Sequence, residues 1–204
     1  MTTPAPALPP LLTGHPVPRD AFGAATALAL RGGDPGTLVH AETAAAVDLG
    51  LILAPEMPLA RALDAMLALQ LATGDAIGAL APPEVAVHVA PPAGLVVNGG
   101  GCGGFRAAAP VAMAKVEPDW LVLGLWLAGL PRSTDPGADP DRTTLHDEGC
   151  GDLTVPDLIE SLARHLLVWI DRLADEGRAP LVAAWRLRLT EPGDPDFLPM
   201  LERP

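Results

Sequence analysis

The sequence has no tyrosine, only three phenylalanines, two cysteines and a single lysine, Lys115, among 204 residues. Without tyrosine and with few phenylalanines it offers no aromatic platform on which nucleobases stack. One lysine and twelve arginines against 25 acidic residues leave a formal net charge of -12, which excludes the basic footprint of a DNA- or RNA-binding protein. The two cysteines, Cys102 and Cys150, cannot build a disulfide framework, and neither they nor the five histidines show the spacing of a closed zinc site. No metal site is therefore expected. The longest apolar run, residues 120–130, is shorter than the roughly 20 residues a bilayer needs, and residues 1–18 lack the charged-then-apolar order of a signal segment. The expectation is a cytoplasmic protein with no membrane partner. Walker, nucleophile-elbow and dinucleotide fingerprints are missing too.

What is present is apolar and glycine- and proline-rich: 49% hydrophobic residues, 21 glycines and 24 prolines. That is enough for one domain with a full core. Residues 1–19 read as an extended, proline-rich leader, 20–189 as a single domain, and 190–204 as a proline-rich tail. Asp20 is placed to cap a helix that Gly32-Gly33 stops. Residues 37–42 and 47–54 read as strands, the second rich in Val, Leu and Ile. Pro58 opens a helix expected to run to about residue 79, with Leu59, Leu63, Met66, Leu67 and Leu71 at helical spacing. Strands are expected at 85–89 and 120–127. Residues 131–152 form a long polar loop. Thr154 and Pro156 start a strong helix with Leu158, Leu162, Leu166 and Trp169 on its buried stripe, closed by Gly177. A short helix at 180–189 follows. This order predicts an α+β fold: a mixed, mainly antiparallel sheet covered by helices.

Between these elements lies Ala90-Pro91-Pro92-Ala93-Gly94-Leu95-Val96-Val97-Asn98-Gly99-Gly100-Gly101-Cys102-Gly103-Gly104-Phe105-Arg106. It reads as a strand, an Asn-Gly hairpin turn and a glycine-rich return strand. It resembles the central hairpin of biotin and lipoate protein ligases, written Lys-Trp-Pro-Asn-Asp, three apolar residues, Asn-Gly, a lysine two positions on, then an apolar residue and Gly-Gly. Four further stretches resemble the same family in the same order. These are Asp48-Leu49-Gly50-Leu51-Ile52-Leu53-Ala54-Pro55-Glu56, Trp120-Leu121-Val122-Leu123-Gly124-Leu125-Trp126-Leu127-Ala128, Thr143-Thr144-Leu145-His146-Asp147-Glu148-Gly149, and Trp185-Arg186. The resemblance runs from about Pro9 to Arg186 and is nearest to a divergent branch, the biotin/lipoate A/B ligase-like proteins. It implies the catalytic fold of the class II synthetases and biotin protein ligases.

The resemblance also implies chemistry that this chain has altered. Such ligases activate a carboxylate with ATP and Mg2+, then pass the acyl group (biotin, lipoate or octanoate) to a lysine of a biotinyl or lipoyl carrier domain. Activation brings two anions together, so cations must offset the charge. Gly101 stands where the family keeps its catalytic lysine. Trp126 and Ala128 stand for the second Gly and the Asn of Gly-Ile-Gly-Ile-Asn. Arg31-Gly32-Gly33-Asp34-Pro35-Gly36 is read as what is left of the Arg-Gly loop over the adenylate. The expected ligand-binding residues are Arg31, Gly33, His40, Asn98, Gly99, Gly101, Cys102, Gly103, Gly104 and Arg106. The glycines would offer backbone N–H groups to a carboxylate or phosphate. Lys115 is the one candidate catalytic residue, and Lys115, Arg31 or Arg106 could substitute as a relocated cation. Three functions are open at this stage. The chain binds an acyl carboxylate or acyl-adenylate with weak or no ligase activity, or ligates with a relocated cation, or docks a carrier domain without catalysis. It would act as a monomer or homodimer.

Overall fold

The computed structural model describes residues 5–43, 45–130, 139 and 141–203. Of the long loop expected over 131–152, residues 131–138 and 140 thus lie outside the described residues.

The sheet is built on two long apolar strands, β3 (Ala46–Leu53) and β7 (Leu121–Ala128), paired antiparallel from Ala46↔Ala128 to Leu53↔Leu121. Both are nearly continuous in Val, Leu and Ile because both faces of the sheet are covered there. Outward from β3 come β2 (Thr37–Ala41), antiparallel, and β1 (Thr13–Val17), parallel to β2 at the edge. Outward from β7 come β6 (Gly100–Ala108), β5 (Gly94–Val97) and β4 (Val87–Ala90), all antiparallel. A two-residue strand β8 (Leu201–Glu202) runs parallel to β6 beside Ala107 and Ala108. The mixed, mainly antiparallel sheet with covering helices is as the sequence predicts. Two details differ. Thr13–Val17 sits within the stretch read as an extended leader, yet pairs as the sheet's edge strand. Residues 189–202, mostly within the proline-rich tail, likewise return to the sheet: Leu189 bridges Val89, and Leu201–Glu202 pair with β6. Proline removes donors but not acceptors, so a proline-bearing strand is compatible with an edge position.

Helix α1 (Ala21–Ala29) packs on one face, capped by Asp20, whose carboxylate accepts from the Gly23 N–H. It lies close because Gly124 and Gly50 lie beneath it. A Cβ on Gly124 would collide with the Phe22 ring, and one on Gly50 would come within 2.6 Å of the Ala25 Cβ. The other face carries α3 (Ala65–Leu80), α4 (Val155–Glu176) and α5 (Arg178–Arg186) over the larger core. The apolar stretch Leu59–Leu80 is long and apolar enough to cross a membrane by length and composition, but 72% of its most apolar window is buried inside the fold. It is hydrophobic all round because α3 lies between the sheet and α4. It is not one helix, as the spacing predicts. A short α2 (Leu59–Ala62) is separated from α3 at Leu63-Asp64, and its first N–H groups, of Leu59 and Ala60, donate to the Val116 and Ala114 carbonyls of the β6–β7 loop. Asp64, nearly buried, pairs with Arg178 at 3.0 Å.

Within this core Gln70 is 1% exposed and both ends of its amide are bonded. It donates to the Pro92 carbonyl at 2.8 Å and accepts from the indole N–H of Trp185 at 2.5 Å. Trp185, the tryptophan of the Trp-Arg pair, is therefore a fully buried strut joining α5 to α3.

Candidate functional site

The strand register divides the sheet into two faces and two ends. Across β2, β3, β7 and β6, one row runs Leu38, Leu51, Leu123, Ala107 and another, three residues on, runs Ala41, Asp48, Trp126, Gly104. The second row faces α1 and continues to Gly94 of β5. Alternation puts Gly124 and Arg106 on that same face one step back.

Beyond Gly104 the hairpin carries a bulge. Leu95 pairs with Gly103 but Val96 pairs with Gly101, so Cys102 is inserted and turns into the core. It is 1% exposed, its Sγ lies 3.6 Å from the Ala128 carbonyl, and burial, then the neighbouring Glu148, pushes its thiol up to about 12. Cys102 is a core residue and not a ligand contact. Gly101, opposite half-buried Val96, looks out on the α1 face. At the turn, Asn98 (φ 47) and Gly99 (φ 92) adopt left-handed backbone, as an Asn-Gly hairpin requires.

Of the glycine N–H groups expected to form an open anion cradle, that of Gly101 is engaged. Gly101 donates to the Asp141 carbonyl at 2.9 Å and accepts from the Thr143 N–H at 3.1 Å, which makes Arg142 its bridge partner. Gly103 and Gly104 are glycines because backbones approach them. A Cβ on Gly103 would strike the Trp126 carbonyl, and one on Gly104 would come within 2.7 Å of the Ala93 carbonyl. The Asn98 amide is a clamp as well. Its oxygen accepts from Ala86 N–H at 2.8 Å, and its nitrogen donates to Glu148 at 2.7 Å. Glu148 also accepts from the Thr143 hydroxyl. The Thr-Thr-Leu-His-Asp-Glu-Gly stretch thus fastens the hairpin, a pairing that no local pattern shows because 50 residues separate Asn98 from Glu148.

Three further expected residues lie elsewhere. Lys115 is exposed in the β6–β7 loop, beyond Ala108. At about 3.3 Å per residue, Ala108 is some 23 Å along β6 from Gly101, so Lys115 is no substitute for a lysine at Gly101. Arg31 and Gly33 sit in the turn between α1 and β2. The register of Leu38 with Ala107, through β3 and β7, puts that turn at the same remote end. Gly33 closes against Leu28, as a helix C-terminus does. His40 belongs to the opposite face. It is 6% exposed and lines a cavity of about 260 Å³ with Gly14, Pro16, Pro156 and Ile159, and burial lowers its pKa against the opposing pull of Glu42.

Arg106 alone of the expected cations lies on the α1 face. Its guanidinium sits 4.1 Å over the Phe22 ring and forks Glu202 of β8, Nε and Nη2 donating to the two carboxylate oxygens at 2.7 and 2.8 Å. That bond raises the pKa of Arg106 and lowers that of Glu202. Two residues that the sequence did not single out complete the surface. Asp48, in the row with Gly104 and Trp126, accepts from the Ala21 N–H at 3.1 Å. The N-terminus of α1, a natural place for an external anion, is therefore already held by two of the chain's own carboxylates, Asp20 and Asp48. A lone aspartate inside the apolar run Val-Asp-Leu-Gly-Leu-Ile-Leu is the signal that could have found it. Arg142, beside Gly101, is exposed and lies 3.8 Å from Asp139. Each of these two guanidinium groups thus faces a carboxylate, and Asp20 and Asp48 leave this side acidic. Among the described residues no three His, Cys, Asp or Glu side chains converge to hold a metal ion.

Burial raises the pKa of Asp48, its hydrogen bond to the helix opposing the shift. A raised folded-state pKa contributes stability below the unfolded value, which is lost as pH rises through the folded value. Asp48→Asn removes this loss. The melting temperature of the variant relative to wild type is expected to rise between pH 4 and pH 7, and a pH-independent difference would contradict the assignment.

The model of the biotin/lipoate A/B protein ligase family matches residues 8–187. A crystal structure of a biotin protein ligase-like protein of unknown function from Silicibacter sp. TM1040 superposes with a TM-score of 0.85 at 39% identity, covering 93% of this chain and 83% of that one. Biotin protein ligase from Aquifex aeolicus in complex with biotin and ATP gives 0.67 at 14% identity, over 90% and 80%. That from Leishmania major in complex with biotinyl-5-AMP gives 0.57 at 16%, over 92% and 88%. At these lower identities the likeness is one of fold. No curated protein matches the chain.

Proposed function

Because the chain belongs to the biotin/lipoate A/B protein ligase family, we propose that its α1-face surface binds a small acyl carboxylate but does not activate it with ATP. The observation that carries this reading is the charge on that surface. Adenylation needs cations where a carboxylate and a phosphate meet, and in a site of effective dielectric near 20 two charges 4 Å apart already interact by about 4 kcal/mol. Here Gly101 supplies no charge, Arg106 faces Glu202, Arg142 faces Asp139, and Asp20 and Asp48 add two carboxylates. These residues do not fit a nucleotide triphosphate with Mg2+. Lys115 and Arg31 lie at the far end of the sheet, which also argues against a relocated cation.

An acyl ligand needs less. Its chain requires apolar cover, which Val96, Trp126 and the open face of Gly101 offer, and its carboxylate requires one cation. Isothermal titration calorimetry of the protein with biotin, lipoate and octanoate, and separately with MgATP, tests the proposal. Binding of one acid without binding of MgATP is expected. MgATP binding in the micromolar range, or no heat from any of the three acids, would overturn it.

A further inference from the structure

The geometry points to Arg106 as the residue that reads the ligand's carboxylate, with Glu202 as its resident stand-in. This rests on the reading above and adds the group that is recognised and the contact that must open. Arg106 already grips a carboxylate in the planar, two-pronged arrangement by which a guanidinium recognises one, at 2.7 and 2.8 Å. It does so on the face that carries Gly104, Trp126 and Asp48, and its own orientation is fixed from below by the Phe22 ring.

Glu202 reaches it from only two residues of strand, paired to Ala107 and Ala108, in a segment beyond the family match, which ends at residue 187. The two side chains are 47% and 45% exposed, so a competing carboxylate in solution has access to the pair. An exposed pair of this kind is weakly held. Exchange of Glu202 for a ligand carboxylate leaves the number of charges around Arg106, Asp20 and Asp48 the same. A phosphoanhydride would instead bring further negative charge toward Asp20 and Asp48, so the same residues favour a monoanionic acid over a nucleotide.

The test is octanoate affinity, by calorimetry, for wild type, Glu202→Gln, Glu202→Ala and Arg106→Gln, with a melting curve for each. Both Glu202 variants are expected to bind octanoate at least tenfold more tightly than wild type, and Arg106→Gln to lose binding while keeping a cooperative melt. A strut with no role in recognition would lower the melting temperature of the Glu202 variants and leave affinity within twofold; that result overturns the inference. So does wild-type affinity in Arg106→Gln, or no binding by any variant. Binding of octanoate by the Glu202 variants alone, with no acid bound by wild type, would sustain the role of Arg106 and remove the reading that the unmodified protein is an acyl-acid binder.

Discussion

Gly101→Lys folds as the wild type does and binds a non-hydrolysable acyl-adenylate analogue at least tenfold more tightly: that is the expected result of returning the family's lysine to its place. The backbone at Gly101 is not in the left-handed region, and a Cβ there would meet only the Asp141 carbonyl, at 3.4 Å, an ordinary contact. Its hydrogen bonds to Asp141 and Thr143 are made by the main chain, so a side chain leaves them intact. The new ammonium would project on the α1 face, toward the row of Gly104, Trp126 and Asp48. Tenfold corresponds to about 1.4 kcal/mol, well below the Coulomb energy available to one cation beside a phosphate. Calorimetry with sulfamoyl analogues of biotinyl-, lipoyl- and octanoyl-adenylate measures it. Unchanged affinity in a variant that melts like wild type would mean that the missing lysine is not what separates this surface from a nucleotide.

Two residues further on, the same kind of substitution has the opposite outcome. Gly103→Ala is expected to cost about 3 kcal/mol or more, read as a lower midpoint in urea unfolding. Its Cβ would collide with the Trp126 carbonyl and lie 2.9 Å from the Leu127 Cα, and both are backbone atoms of β7 that cannot rotate aside. Relief requires β6 and β7 to part near the middle of the sheet, and overpacking of a well-fitted interior typically costs 1–3 kcal/mol even where side chains can yield. A change below about 0.5 kcal/mol would show that β6 and β7 are not paired in the Gly103↔Leu127 register. Since both sites are glycines of one strand, the contrast between Gly101 and Gly103 tests the hairpin geometry independently of any ligand.

These two glycines also show where the sequence could be followed and where it could not. The Asn-Gly turn, the apolar strands β3 and β7, the Asp20 and Thr154 caps and the glycine that ends α4 are local signals, and the structure has each of them. So is the order of elements that carries the family resemblance. The site is not local. Whether a glycine in Gly-Gly-Gly-Cys-Gly-Gly is open to a ligand or pressed against a neighbour depends on the partner strand and on the bulge at Cys102. The expectation of a free N–H fails at Gly101 for that reason. Arg31, as a remnant of the Arg-Gly loop, and Lys115, as a relocated cation, are expected at the ligand, but the antiparallel register puts both at the far end of the sheet. Arg142 and Glu202 are brought to the α1 face by a bridge to Gly101 and by a two-residue strand near residue 200, neither of which leaves a pattern in neighbouring residues.

On the function proposed above, a ligase fold here has kept a surface for an acyl acid and lost the means to activate it. ATP–pyrophosphate exchange by the purified protein, with biotin, lipoate and octanoate in turn, tests this most directly. No exchange above the protein-free blank is expected with any acid. Exchange that depends on one of the acids, and that survives repeated purification, would contradict it.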